Sequence, residues 1–255
     1  MNIDKNTVAI VTGAGSGLGE ATARYLASLG ARVALLDLNQ EGVNRVAKDI
    51  EGLGLVCDVT SEASVKDALQ QTKEKFGVAR VCVNFAGILG GGKVVGKKGP
   101  HDLEAFKQVI NINLVGTFNV MRLACADMVT LDPLPKTLER GVVVNTSSIC
   151  AYEGQIGQVA YSASKGGVAG MTLPVAREMA DHGIRIVAIA PGTFETPMIK
   201  AASDKVREGM LAGTVFPKRF GEPEELAAFV AHIVNNPMLN GDVLRIDGAM
   251  RMPPR

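Results

Sequence analysis

Tyr161 stands four residues before Lys165 in the stretch AYSASKGG at residues 160–167. If that segment is helical, four residues make one turn and a little, about 6 Å of rise, and both side chains leave the same face. A phenol beside an ammonium is a proton-transfer pair. Tyrosine ordinarily titrates near pH 10 and holds its proton at neutrality, whereas a neighbouring positive charge favours the phenolate that a base requires. Three tyrosines and fourteen lysines in 255 residues also generate this spacing by chance, and an exposed helical face would carry the same pair. Other parts of the chain must decide.

A second cluster suits an anionic ligand. The apolar run VAIVT at 8–12 leads into TGAGSGLG, with Gly13, Gly17 and Gly19 ahead of an amphipathic stretch. Glycines let main-chain amides approach a pyrophosphate, and the amino end of a helix presents unpaired N–H groups and a partial positive charge. Gly13, Ser16, Gly17, Leu18 and Gly19 form the candidate turn. Asp37 ends the next apolar run, about twenty residues on, where a carboxylate accepts from adenosine ribose hydroxyls and repels a 2′-phosphate. Neither Ser16 nor Leu38 supplies a compensating cation, which favours NAD over NADP.

The elements that must hold these residues alternate regularly. Candidate strands are Val8–Thr12, Arg32–Asp37, Leu55–Asp58, Val81–Asn84, Gly141–Thr146, Ile184–Ala190 and Val243–Ile246. Between them lie candidate helices such as Gly17–Leu29, Ser61–Phe76 and Glu222–Val234. Several strands are continuously apolar, as strands covered on both faces are. This predicts one α/β domain over residues 1–255, a doubly wound parallel sheet of seven strands with its site beyond the strands' carboxyl ends. Ile88–Pro100, Thr130–Arg140 and Gly192–Gly221 read as loops, the third long enough for a binding loop.

Composition narrows the class. With 27 basic and 26 acidic residues there is no overall field to draw nucleic acid or an anionic membrane. No apolar run approaches a membrane span, and the amino terminus lacks a signal-peptide pattern, so a soluble cytoplasmic protein is expected. Cys57, Cys82, Cys125 and Cys150 are widely spaced, as are His101, His182 and His232. They predict reduced buried thiols and no metal.

With these residues placed, the chain resembles the short-chain dehydrogenases/reductases. TGAGSGLG matches that family's cofactor turn, and AYSASK its active-site pair. CDVT, with Asp58 and Val59, matches its adenine contact, and NFAG, with Asn84, Ala86 and Gly87, its fourth-strand motif. Ser148 in NTSSIC stands where the family places a serine, thirteen residues before the tyrosine. PGTFETP, with Pro191, Gly192 and Thr196, matches the turn whose threonine touches the nicotinamide carboxamide. The resemblance implies a Rossmann fold, NAD as cofactor, and an oxidoreductase acting on a secondary alcohol or ketone. By the same resemblance Tyr161 exchanges the hydroxyl proton, Lys165 lowers the phenol's pKa and holds the nicotinamide ribose, and Ser148 hydrogen-bonds the substrate oxygen. Asn113 would hold a water that relays protons from Lys165. Asn111, two residues away, would point elsewhere, since a helix turns about 200° over two residues.

Longer runs, among them NINLVGTFNVMRLA and YEGQIGQVAYSASKGG, look like the type II 3-hydroxyacyl-CoA dehydrogenase group, also called type 10 17β-hydroxysteroid dehydrogenases. Phe85 departs from the Asn of the wider family and the Cys of this group. The lack of a presequence suggests a bacterial enzyme. The implied substrate is a 3-hydroxyacyl-CoA. The alternatives are a 3-oxoacyl carrier-protein reductase, a hydroxysteroid dehydrogenase or, from another class, a nucleotide-binding scaffold without catalysis. Lys93, Lys97 and Lys98, with no acidic residue from Ile88 to His101, give that loop a charge of about +3 that suits the phosphates of coenzyme A; a solvated loop would read the same way. Gln155, Phe194 and the residues to Ile199, with Met210 and Leu211, are expected to line an apolar slot. The family usually forms homotetramers through the helices around Asn113 and Tyr161 and the carboxyl-terminal region. The closing run LNGDVLRIDGAMRMPPR fits such an interface, or a tail ordered on its own subunit.

Overall fold

The computed structural model describes every residue except Lys98, Ala202 and Arg255. Along the chain lie β1 (Val8–Thr12), α1 (Gly17–Ser28), β2 (Arg32–Asp37), α2 (Gln40–Ile50), β3 (Leu53–Val56), α3 (Glu62–Phe76) and β4 (Val81–Asn84). A short antiparallel pair follows, β5 (Val95–Gly96) and β6 (Gly99–Pro100). Next come α4 (Leu103–Ile110), a π-helical segment (Asn111–Gly116), α5 (Thr117–Met128), β7 (Gly141–Thr146), α6 (Val159–Met179) and β8 (Ile184–Pro191). The chain ends with α7 (Pro197–Lys200), α8 (Asp204–Leu211), α9 (Pro223–Asn235) and β9 (Val243–Ile246).

Seven strands form one parallel sheet in the order β3-β2-β1-β4-β7-β8-β9. Its strands alternate their apolar side chains between two cores. Ala9, Val11, Val83 and Val144 face one core with Leu26 of α1, Val46 of α2 and Val230 of α9. Ile10, Cys82 and Val143 face the other with Leu69 of α3, Met121 and Met128 of α5, and Ala176 of α6. Burial on both faces explains why these strands read as unbroken apolar runs. The order reverses between β1 and β4, which opens a crevice at their carboxyl ends.

Three stretches differ from the expectation drawn from the sequence. The third strand runs Leu53–Val56 rather than Leu55–Asp58, because pairing with β2 from Ala34 to Asp37 fixes its register despite Gly54. Beyond it, Asp58 Oδ1 accepts from the Thr60 amide at 2.9 Å, a local turn that ends strand pairing. The supposed loop Ile88–Pro100 contains the β5–β6 pair, and Gly192–Gly221 contains α7 and α8.

The helical stretch Leu103–Met128 is long and apolar enough to cross a membrane by length and composition, with a mean hydropathy of 1.3 over its best window. Half of that window is buried in the domain, where α5 packs on β4 and β7. All four cysteines are free and buried.

Candidate active site

The phosphate turn is built by contacts that exclude side chains. Gly13 has φ +66°, and a Cβ there would lie 2.8 Å from the Ala86 amide nitrogen and 2.9 Å from the Phe85 carbonyl carbon. A Cβ on Gly19 would strike the Gly13 carbonyl oxygen. Ser16 occupies the N-cap position of α1, yet its hydroxyl caps no amide there. The first-turn N–H groups are therefore available to an anion. These residues open onto a cleft of about 620 Å³.

Asp37 lies farther along this cleft. Its Oδ2 accepts from the Gly15 amide at 2.9 Å and its Oδ1 from the Asn39 amide at 3.0 Å, so the turn itself orients the carboxylate. Asp58 Oδ1 is taken by the Thr60 amide and hydroxyl, at 2.9 and 2.7 Å. Asp58, Val59, Ala86, Gly87 and Thr196 all line the cleft with Ser16, Gly17 and Leu18. Leu38, two-thirds exposed beside Asp37, and Thr146 below the Ser148 loop also line it; the sequence reading gave neither a binding role.

Three predicted cofactor residues do not line it. Asn84 is buried in the sheet, donating to Asn145 Oδ1 at 2.9 Å and accepting from the Thr12 hydroxyl at 3.4 Å. Thr12 in turn accepts from the Phe85 and Ala86 amides at 3.2 and 3.1 Å, so Asn84 belongs to a brace beneath the cleft floor. Pro191 is buried at the end of β8, and Gly192 packs against Asp247 instead of facing the cleft.

At the other end Tyr161 and Lys165 occupy the first turns of α6, both lining the cleft. Lys165 Nζ donates to the Thr146 carbonyl oxygen at 2.7 Å and lies 5.7 Å from the Tyr161 ring centre. Burial drives the Lys165 pKa down to about 8. Burial also pushes Tyr161 up to about 12, the nearby Cys150 thiol adds to the rise, and the Ser148 hydroxyl offsets part of it. The expected depression of the phenol by Lys165 is thus absent from this arrangement: desolvation dominates, and the ammonium is turned towards Thr146. Ser148 Oγ accepts from the Cys150 amide at 3.1 Å, on the Tyr161 side. Ser147 points away, its hydroxyl donating to the Lys165 carbonyl at 2.9 Å. The two adjacent serines are divided between site and scaffold.

Asn113 lies in the π-helical segment, a feature the helical periodicity did not reveal. Such segments widen a helix locally and often occur at functional sites. Its Oδ1 accepts from the Ile88 amide at 2.8 Å, while Nδ2 donates to the Ile88 carbonyl at 2.9 Å and Ser164 Oγ at 3.1 Å. The amide therefore ties the chain after β4 to α6. Gly87 leaves this corner uncrowded: a Cβ there would be a tight 3.1 Å from Asn113 Oδ1 and in ordinary contact, 3.7 Å, with Lys165 Nζ. Asn111 departs from the expectation: it is exposed and itself lines the cleft, whereas Asn113 is fully buried and engaged with Ile88 and Ser164.

Two predicted substrate residues are placed elsewhere. Phe194 is 6% exposed within the core and packs over Gly221, because its backbone bridges to that glycine. Gln155 Nε2 donates to the Pro253 carbonyl at 3.0 Å and anchors the tail. That tail folds back onto its own chain. The Ile156 amide donates to the Pro254 carbonyl at 3.0 Å, the Met252 amide to Glu153 Oε2 at 3.1 Å, and Arg245 pairs with Glu153 at 2.9 Å. On the opposite side, the Gly92 amide donates to the Gly157 carbonyl at 2.7 Å, so the insertion after β4 grips the same segment. Lys93 and Lys97 are exposed on that insertion, and Lys98 lies outside the described residues.

A glycine cradle, a strand-end carboxylate and a Ser–Tyr–Lys group on a sheet of this order are the arrangement of an oxidoreductase with a doubly wound fold. The family model described as short chain dehydrogenase matches residues 7–207, and the chain belongs to that family. Among its relatives is 3-hydroxyacyl-CoA dehydrogenase type-2 of Drosophila melanogaster, 51% identical over 254 residues, covering 98% of this chain and 99% of the relative. The protein of that name from Homo sapiens is 49% identical over 257 residues, covering 98% and 97%. The crystal structure of 3-hydroxyacyl-CoA dehydrogenase type-2 from Mycobacterium avium superposes with a TM-score of 0.94 at 39% identity, covering 98% of each chain. The chain is accordingly an oxidoreductase enzyme.

Proposed function

We propose that this enzyme interconverts 3-hydroxyacyl-CoA and 3-oxoacyl-CoA with NAD as the hydride carrier. The observation that carries the reading is the convergence of Ser148, Tyr161 and Lys165 on one end of a cleft whose other end holds the glycine turn and Asp37. The uncapped amino end of α1 and the Cβ-excluding contacts at Gly13 and Gly19 suit a pyrophosphate, and Asp37 suits an unphosphorylated ribose. The relatives' names support the acyl-CoA substrate.

When bound, the nicotinamide ring supplies or accepts the hydride. The chain's own residues handle the proton. Tyr161 releases its phenolic proton to the substrate oxygen during reduction and takes it back during oxidation, while Ser148 fixes that oxygen beside it. A phenol held protonated by burial is poised to act as the acid in the reductive direction. Lys165, turning from Thr146 towards the ribose, would bring its charge to the phenolate left behind. Asn113, its amide engaged, would hold a relay water through its backbone carbonyl, which already accepts from Thr117 Oγ1 at 2.7 Å.

Exposed Lys93 and Lys97, on the insertion after β4, would offer charge to coenzyme A phosphates. Val115, Phe118 and Leu173 expose apolar surface on the helices around Asn113 and Tyr161, which supports a homotetramer. Four buried free thiols support a reducing, cytoplasmic setting. The deciding assay follows NADH absorbance with acetoacetyl-CoA, an acyl-carrier-protein substrate and a steroid panel. Acetoacetyl-CoA is expected to give the highest kcat/KM, and no turnover of any acyl-CoA would overturn the reading.

A further inference from the structure

A cation stands close to Asp37, and another carboxylate holds it. Gly15 donates its amide to Asp37 Oδ2 at 2.9 Å, and the carbonyl of the same residue accepts from Arg45 Nη2 at 3.2 Å. One residue's width therefore separates the guanidinium from the carboxylate proposed to contact the ribose. Arg45 comes from the second turn of α2, brought there by the packing of α1 and α2. It is engaged at both prongs: Nη1 donates to Glu20 Oε1 and Nη2 to Glu20 Oε2, each at 2.6 Å. Arg24 steadies the acceptor, its Nε donating to Glu20 Oε1 at 3.0 Å. The Glu20 side chain is only 19% exposed, whereas that of Arg45 is 53% exposed and so free to move once released.

We propose that Glu20 determines cofactor selectivity by holding Arg45 in this two-pronged pair and so withholding its guanidinium from a 2′-phosphate. The inference rests on the NAD reading of Asp37 and adds a second determinant to it. Bidentate guanidinium contact is the strongest recognition of phosphate a side chain offers, and an arginine that already forks onto a carboxylate has both donors committed. Selection then has two parts, repulsion by Asp37 and sequestration of Arg45. Chain neighbours of Asp37 could not reveal the second part, because Arg45 is eight residues away and reaches the site through helix packing.

The test is calorimetric binding of NADH, NADPH and the fragment adenosine 2′,5′-bisphosphate to the wild-type chain, Glu20→Ala, Glu20→Gln and Glu20→Ala/Arg45→Ala. Glu20→Ala should tighten both 2′-phosphorylated ligands about five-fold, the size of a good exposed ion pair, with NADH affinity held within about two-fold. Glu20→Gln should give a smaller gain in the same direction. The double variant should lose the gain, and intact NADH binding reports that each variant is folded. An unchanged NADPH affinity in Glu20→Ala, or a gain that persists without Arg45, overturns the proposal. Equal NADH and NADPH affinities in the wild-type chain would instead overturn the NAD reading, while an Arg45-dependent gain would still stand.

Discussion

Lys165 and Tyr161 share the inner face of α6, yet the ammonium bonds the Thr146 carbonyl at 2.7 Å and stays 5.7 Å from the centre of the phenol ring. Each is governed by its own desolvation, Lys165 falling to about 8 from its ordinary 10.5 and Tyr161 rising to about 12 from 10. The two shifts act on stability in opposite senses as pH rises.

Between pH 8 and 10.5 the unfolded chain binds a proton at Lys165 that the folded chain has released, so this group's contribution to stability increases with pH, by at most about 1.4 kcal/mol per unit. Buried Cys57 and Cys125, raised to about 11 and about 12 by desolvation, retain protons that the unfolded chain has lost above pH 9 and act the other way. Comparison with Lys165→Met cancels their effect. The stability advantage of the methionine variant, measured by urea unfolding, should shrink steadily from pH 8 to 10. A constant difference would remove desolvation as the cause.

Tyr161→Phe keeps the ring and deletes the proton. Turnover should drop by about 10³-fold with NADH affinity within about two-fold, since general acid catalysis is lost and cofactor contacts remain. Single-turnover rates near wild type would mean that another group delivers the proton.

Two glycine substitutions should have opposite signs. Gly19→Ala forces a methyl into the Gly13 carbonyl, and a loss of about 2 kcal/mol together with weakened NADH binding is expected. Gly170, inside α6, has open space where a Cβ would stand, so Gly170→Ala should stabilise by about 0.5–1 kcal/mol. Denaturant midpoints at constant slope distinguish the two; equal effects would contradict the packing described.

Glu153 joins the segment between Ser148 and Tyr161 to the tail through Arg245 at 2.9 Å and the Met252 amide at 3.1 Å. Glu153→Ala should lower kcat about ten-fold, leave the KM for NADH unchanged and hasten proteolysis after Met250, because small misplacements at a reacting centre are costly. Glu153→Gln, which still accepts from Met252, should recover part of the rate. A stability loss with kcat unaffected would confine Glu153 to a structural role.

The chain's own pattern determined the doubly wound sheet and the identities at both ends of the cleft. Unbroken apolar strands, glycines at a strand-to-helix turn and a four-residue phenol–amine spacing are local features with direct geometric meaning. Tertiary structure decided what each polar group does with its hydrogen bonds. Asn84 and Gln155 look available in a linear chain, but parallel pairing of β4 with β7 gives Asn84 to Asn145, and the returning tail gives Gln155 to Pro253. Phe194 was drawn into the core by the bridge to Gly221, and Arg45 was brought beside Asp37 by helix packing. A residue's type fixes what it can bond, whereas its partner depends on segments far along the chain that only folding brings within 3 Å or so.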